Sequence, residues 1–287
     1  MDESVPLPEA TRKAHNIRGS RVRVAAFGLL LFLIALRYDV DMVAFTILAV
    51  VLATLGVREF RRLAQRRDVT ISSRFEISSS IGLVLLGLLP ADLFERAVIP
   101  ALLLLIVSAF VVQMAARAEE DAMRVVPMSF FGPVYIGLPL ALGLQVLAED
   151  RIFLLFGLIA VWMADTGAYV AGHLFGSTRL APRLSPGKTV EGLIGGTLVC
   201  LGSCVLFKLT VPPDAFSHGW IVVCMVGLVT ALLAPVGDLA ESVLKRDAGV
   251  KDSGSAFAGH GGILDRLDSL LFCLGGMYTI LRLAGRI

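Results

Sequence analysis

The chain has 287 residues, of which 56% are hydrophobic and 17% charged, with a formal net charge of +2. Soluble domains average about 25% charged residues, so an ordinary soluble protein is excluded. With so small a net charge the distribution of charge matters more than the total, and no nucleic-acid partner is expected. The composition predicts an all-α, polytopic integral membrane protein with about nine transmembrane helices and a cytoplasm-facing polar cavity. Cys200, Cys204, Cys224 and Cys273 all lie in apolar runs without a CxxC spacing. They read as buried free thiols, with no disulfide framework and no zinc site.

In chain order, residues 1–20 are polar, contain Pro6 and Pro8, and read as a disordered cytoplasmic tail. No cleavable signal peptide is apparent. The apolar runs predict helices at about 22–36, 42–57, 77–91, 97–115, 126–148, 152–175, 189–211, 218–236 and 267–284. Residues 21–150 then form an N-terminal set of membrane helices, and 151–287 a region carrying the chemistry. With the N-terminus inside, twenty of the 26 Lys and Arg residues fall on inner segments. Only Arg37, Arg96, Arg151, Arg282 and Arg286 fall outside, and Lys208 lies within a span. That bias predicts a cytoplasmic N-terminus and cytoplasmic loops at 176–188 and 237–268. A compact chain without a targeting peptide points to the bacterial plasma membrane.

Arg58-Glu59-Phe60-Arg61-Arg62, at the end of the second apolar run, reads as an interfacial anchor for anionic headgroups. Pro127, Pro133 and Pro139 predict a kinked or broken fifth helix. The sixth carries Asp165 at mid-length, where a charge facing lipid is costly. Ala164, Ala168 and Gly172 recur every four positions and allow close approach of a neighbour. Asp165 is thus either one polar contact within a packing face or a group facing a cavity. The following stretch holds Arg183, Ser185, Pro186, Gly187, Lys188, Thr189 and Glu191. It predicts a helix N-terminus capped by Thr189 or Ser185, with Lys188 and Arg183 beside it for phosphate. Glu191 would complete the cap or hold a cation. The stretch is similar to a P-loop in composition only, since no GxxxxGK[ST] and no preceding strand is expected.

The densest charges lie between residues 235 and 269. If the eighth helix continues past Pro235, Asp238, Glu241, Ser242 and Lys245 fall on one face, at i, i+3, i+4 and i+7. Asp265 and Asp268 stand one turn apart at the start of the last helix, placed to grip a divalent cation or cap the helix. Gly259-His260-Gly261-Gly262 is flexible enough for backbone N–H groups to wrap an anion. Charges at a helix centre cost roughly 2.5–3.5 kcal/mol each, so such a set predicts function. Mg2+ favours one or two carboxylates together with phosphate oxygens, so a nucleoside triphosphate site at the membrane fits this inventory.

Ser242-x2-Lys245-Arg246-x4-Lys251-Asp252-x-Gly254-x4-Gly259-His260-Gly261-Gly262-x2-Asp265-Arg266-x-Asp268 resembles the C-terminal signature of the phosphatidate cytidylyltransferase (CDP-diacylglycerol synthase) family. Asp165-x2-Ala168-Tyr169-x2-Gly172-x2-Phe175-Gly176 and Ser185-Pro186-x-Lys188-Thr189-x-Glu191-Gly192 resemble its two upstream motifs. The similarity covers about residues 160–287. It implies transfer of the cytidylyl group of CTP to phosphatidic acid, giving CDP-diacylglycerol and pyrophosphate. Mg2+ is the implied cofactor, with a second, monovalent cation left open, and membrane lipids and a second copy of the chain are the implied partners.

On that footing Asp238 and Asp265 are expected metal ligands, with Asp268 as support or a further ligand. Lys188, Lys245, Arg246, Lys251 and Arg266 would hold the triphosphate and the lipid phosphate. Asp165 would orient a cation or bind metal. Arg183, Ser185, Thr189, Glu191, Ser242, Asp252, His260, Gly261 and Gly262 complete the expected substrate contacts; His260 either shapes the nucleotide loop or serves as a general acid. A CTP-dependent polyprenol or phytol kinase and an ion-coupled transporter are the alternatives.

Overall fold

The computed structural model describes residues 42–116, 121–254 and 261–286. The expected tail, the first expected helix at 22–36 and His260 lie outside those residues. Eight helices are seen: α1 (Val43–Gln65), α2 (Ser73–Leu86), α3 (Ala91–Ala115), α4 (Ala122–Glu149), α5 (Arg151–Phe175), α6 (Val190–Thr210), α7 (Trp220–Asp247) and α8 (Leu264–Leu283). Two short strands, β1 (Arg179–Ala181) and β2 (Ser185–Thr189), separate α5 from α6. Among the described residues, six helices, α1 and α3 to α7, are long and apolar enough to cross a membrane. Helix α2 has 14 residues, and at 1.5 Å per residue it reaches about 21 Å, short of the ~30 Å hydrocarbon layer. The all-α membrane architecture stands, with an antiparallel hairpin added to it.

Two local expectations change. Helix α4 keeps Pro127, Pro133 and Pro139 inside one unbroken helix of 28 residues. Its glycines lie against neighbouring helices: a Cβ on Gly137 would press on the Ser80 carbonyl of α2, one on Gly132 on the Phe60 ring of α1 and Glu76 of α2, and one on Gly143 on Leu274 of α8. The 179–189 stretch is a hairpin, with Arg179 paired to Thr189 and Ala181 to Ser185. Pro182 sits in its turn and Pro186 on an edge strand, the positions where a missing N–H costs least. Among the cysteines, Cys200, Cys204 and Cys273 are buried but Cys224 is exposed, a departure from four buried thiols.

Small residues set how closely the helices pack. The α5 face of Ala164, Ala168 and Gly172 meets Gly192 and Gly196 of α6, where a Cβ on Gly196 would stand 2.7 Å from the Ala164 carbonyl. This is the close backbone approach the four-residue spacing predicts. Helix α7 runs through Pro235 to Asp247 as expected, and Gly237 lets the α8 backbone at Asp268 lie directly against it. The Ser269 hydroxyl locks that contact by donating to the Ala234 carbonyl at 3.0 Å.

The two ends of the bundle are distinct. An Arg67–Asp247 ion pair of 3.3 Å joins the ends of α1 and α7 at the end that also carries the hairpin and the start of α8. At the opposite end, Asp150 caps α5 through the amides of Ile152 and Phe153. Its other oxygen meets His218 Nε2 at 2.8 Å, tying in the loop before α7. Burial works against the Asp150 charge, but His218 and the two amides outweigh it and hold this carboxyl below the usual carboxylate range.

Candidate active site

A cavity of about 610 Å3 opens between the α5–α6 pair and the α7–α8 pair, with the hairpin at its mouth. Asp165, Lys188, Thr189, Asp238, Asp265 and Asp268, all expected from sequence, line it. Their meeting follows from the contacts just described. Close packing of α5 on α6 leaves Asp165 one position off the packing face, so the two readings of that helix are compatible: the small residues pack and the carboxylate faces the cavity. Gly237 brings the start of α8 against α7, which sets Asp268 near Asp238. Asp165, Asp238 and Asp268 thus face one cavity, and a cation among them would offset the repulsion of their charges.

Lys188 is the positive group at hand. Strand β2 carries it across the mouth, where Nζ lies 2.7 Å from Asp238 Oδ2 and 3.3 Å from the Pro235 carbonyl. Thr189 ends the strand and caps α6, accepting from the Gly192 amide at 3.1 Å. Glu191 does not share in that cap. Its carboxylate accepts from the Ser177 hydroxyl at 2.6 Å and from the Ser177 and Thr178 amides, fixing the entry of the hairpin. Arg179, which the sequence reading passed over, lines the cavity and donates to the Pro186 carbonyl at 2.6 Å. Tyr169 and His173 stack at the rim with ring centroids 6.2 Å apart. Their i, i+4 spacing on the helix of Asp165 was the signal available for them.

Asp265 is held differently from the other three carboxylates. Its Oδ1 accepts from Lys245 Nζ at 2.6 Å, and Oδ2 from the Gly262 amide at 2.7 Å and the Ser253 amide and hydroxyl at 3.0 Å. Of the glycine stretch expected to wrap an anion, the described Gly262 thus gives its amide to this side chain. Gly261 has φ of 81° and sits so close that a Cβ would lie 2.6 Å from Asp265 Oδ2, so only glycine suits the position. Lys245 is buried between Asp265 and Glu241 of its own helix. Both Asp265 oxygens and the Lys245 ammonium are thus engaged within the protein.

The remaining expected residues spread outward. Ser242 is buried, 3.5 Å from Asp238 Oδ1. Arg246 donates to the carbonyls of Leu184 and Val250, both at 3.1 Å, tying the hairpin turn to the end of α7. Arg183 is exposed at the hairpin tip, Ser185 is half-buried on β2, and Lys251, Asp252 and Arg266 are exposed. Glu59 was read as part of a headgroup anchor; it is buried inside, its carboxylate accepting from the Ser253 hydroxyl and the Leu264 amide. A charged residue one step from the arginines of a helix end gives no sign in sequence of turning inward.

Among the described residues, no three His, Cys, Asp or Glu side chains stand together as a ready-made metal cage. The donors facing the cavity are carboxylate oxygens, the hard type that suits Mg2+ when phosphate oxygens supply the remaining positions.

Comparison with known proteins agrees with this chemistry. The model of the cytidylyltransferase family matches residues 19–284. A phosphatidate cytidylyltransferase of Staphylococcus epidermidis is 32% identical over 257 residues, covering 88% of this chain and 95% of the relative. That of Staphylococcus aureus is 32% identical over 79% of this chain and 86% of its own. A third, from Staphylococcus saprophyticus, is 39% identical over 140 residues, 49% of this chain and 53% of the relative. The protein belongs to the cytidylyltransferase family.

Proposed function

We propose that this protein transfers the cytidylyl group of CTP to phosphatidic acid, releasing pyrophosphate and forming CDP-diacylglycerol. The observation that carries the reading is the convergence of Asp165, Asp238 and Asp268 with Lys188 in one cavity between membrane helices. A phosphatidate oxygen attacks the α-phosphorus of CTP, and the bond to the β-phosphate oxygen breaks with its electron pair leaving on pyrophosphate. The nucleophile is already an anion, so no strong base is needed. The obstacle is bringing two highly charged anions together, and charge neutralisation with in-line positioning removes it.

Asp238 and Asp268, with Asp165 alongside, are the groups that would hold Mg2+. Bound there, Mg2+ would neutralise phosphate charge and favour departure of pyrophosphate. Lys188 bridges the carboxylates and the mouth, so its ammonium meets incoming phosphate. Arg179 stands on the same wall. Asp265, locked by Lys245 and the Gly262 amide, keeps the start of α8 in place so that Asp268 faces Asp238. The apolar outer faces of the surrounding helices suit a lipid substrate arriving from the bilayer, and the basic inner loops suit CTP arriving from the cytoplasm at the plasma membrane of a bacterium. The homodimer implied by the resemblance is tested by the mass of the detergent-solubilised protein.

The test is direct. Purified protein given CTP labelled at the α-phosphate, phosphatidic acid and Mg2+ should yield labelled CDP-lipid and unlabelled pyrophosphate. Label absent from lipid, or transfer of the γ-phosphate to a polyprenol instead, would overturn the proposal.

A further inference from the structure

Glu59 lies in the first described helix, far in sequence from every residue of the cavity, yet its side chain is only 2% exposed. One oxygen, Oε2, accepts from the Leu264 amide at 2.9 Å and from the Ser253 hydroxyl at 3.1 Å. Leu264 is the first residue of α8, and a carboxylate at a helix N-terminus is favoured by the orphan amides and the helix dipole there. Ser253 is also a donor to Asp265, through both its amide and its hydroxyl. A hydroxyl has a single proton, so Ser253 divides it between Glu59 and Asp265. Gly254 and Gly262 flank the contact, and a Cβ on either would collide with the Glu59 carboxylate. Two glycines of the C-terminal signature thereby admit a carboxylate from the other half of the chain. An apolar side chain would fill this place without the cost of burying a charge, so plain packing does not account for the residue.

We propose that Glu59 is a positioning residue for Asp265 and, through it, for the α8 carboxylates of the cavity. It anchors both the first turn of α8, which carries Asp265, and Ser253, which donates to Asp265. The proposal rests on the cytidylyl-transfer reading of that cavity. It predicts an effect on turnover rather than on substrate affinity, because Glu59 itself lies behind the cavity wall. A displacement of about 1 Å at a reacting group costs on the order of 10²-fold in rate.

The experiment uses the full-length protein in detergent and measures CDP-lipid formation for wild type, Glu59→Gln, Ser253→Ala and the double variant. Thermal unfolding is followed in parallel. Glu59→Gln should lower kcat by about 10- to 100-fold while both KM values stay within about twofold and the protein stays folded. The double variant should fall no further than the lower of the two single variants, since both changes break one path. Activity of Glu59→Gln within about twofold of wild type, or losses that simply multiply in the double variant, would overturn the positioning role. If Glu59→Gln is not recovered folded, Glu59→Asp takes its place. It keeps the charge but draws it back by one methylene, and an unchanged kcat there overturns the proposal equally. A wild-type protein that forms no CDP-lipid overturns the functional reading itself, whereas an active wild type with unimpaired Glu59 variants overturns only the positioning.

Discussion

Two lysines expected from sequence to hold phosphate have opposite surroundings. Lys188 stands at the cavity mouth against Asp238, where a phosphate can reach it. Lys245 is enclosed between Glu241 and Asp265. Removing one partner from a buried charge group costs about 3–5 kcal/mol, because the remaining charges keep no counterion. Lys245→Met should therefore lower the unfolding temperature markedly, read by thermal unfolding in detergent. Lys188→Ala should leave that temperature nearly unchanged and lower kcat/KM for CTP by about 10²-fold, roughly 2.7 kcal/mol of transition-state stabilisation. An unstable Lys188→Ala or a stable Lys245→Met would reverse the roles assigned here. Asp268→Asn keeps shape and removes charge. It should lower turnover by about 10²- to 10³-fold, the range for loss of one electrostatic contact to a transition state, with the protein still folded. Near-normal turnover in that variant would remove Asp268 from the cation site.

At the scale of elements, the cavity depends on how closely helix pairs approach. Gly196 lies against the Ala164 carbonyl and the Ala168 side chain. Gly196→Val would drive α5 from α6 and should cost about 1–3 kcal/mol in stability, the usual penalty for overpacking. It should also weaken activity, because Asp165 rides on the displaced helix; a fully active, equally stable variant would contradict the packing account. At the far end, Asp150 caps α5 and clasps the loop before α7 through His218. Its carboxyl is held below the usual range in the folded protein. A carboxyl shifted down on folding adds stability above its unfolded value and loses it as pH falls through the folded one. Asp150→Asn keeps a capping oxygen but removes the charge, so it should be less stable than wild type at neutral pH by about 0.3–1 kcal/mol, the contribution of a carboxylate at a helix N-terminus. The difference should close below about pH 4. A gap that persists unchanged into acid would show that the charge of Asp150 contributes nothing.

Across the whole molecule, the halves are less separate than the sequence division into 21–150 and 151–287 implies. Helix α1 supplies Glu59 to the start of α8, Arg67 pairs with Asp247 at the end of α7, and Glu95 pairs with Arg282 of α8. Sequence alone determined the membrane class, most helix positions in the described residues, the continuation of α7 past Pro235, the family, and six residues that line the cavity. Those are legible because hydropathy and helical periodicity are local, and because the signature motifs keep their spacing along the chain. Tertiary structure alone decided the rest: the hairpin before α6, the unbroken α4, the inward turn of Glu59, and the engagement of Lys245 and Gly262 with Asp265. The physical reason is that each of these depends on which groups meet across tens to hundreds of residues. A buried charge goes where a partner satisfies it, and only packing of the helices against one another supplies that partner.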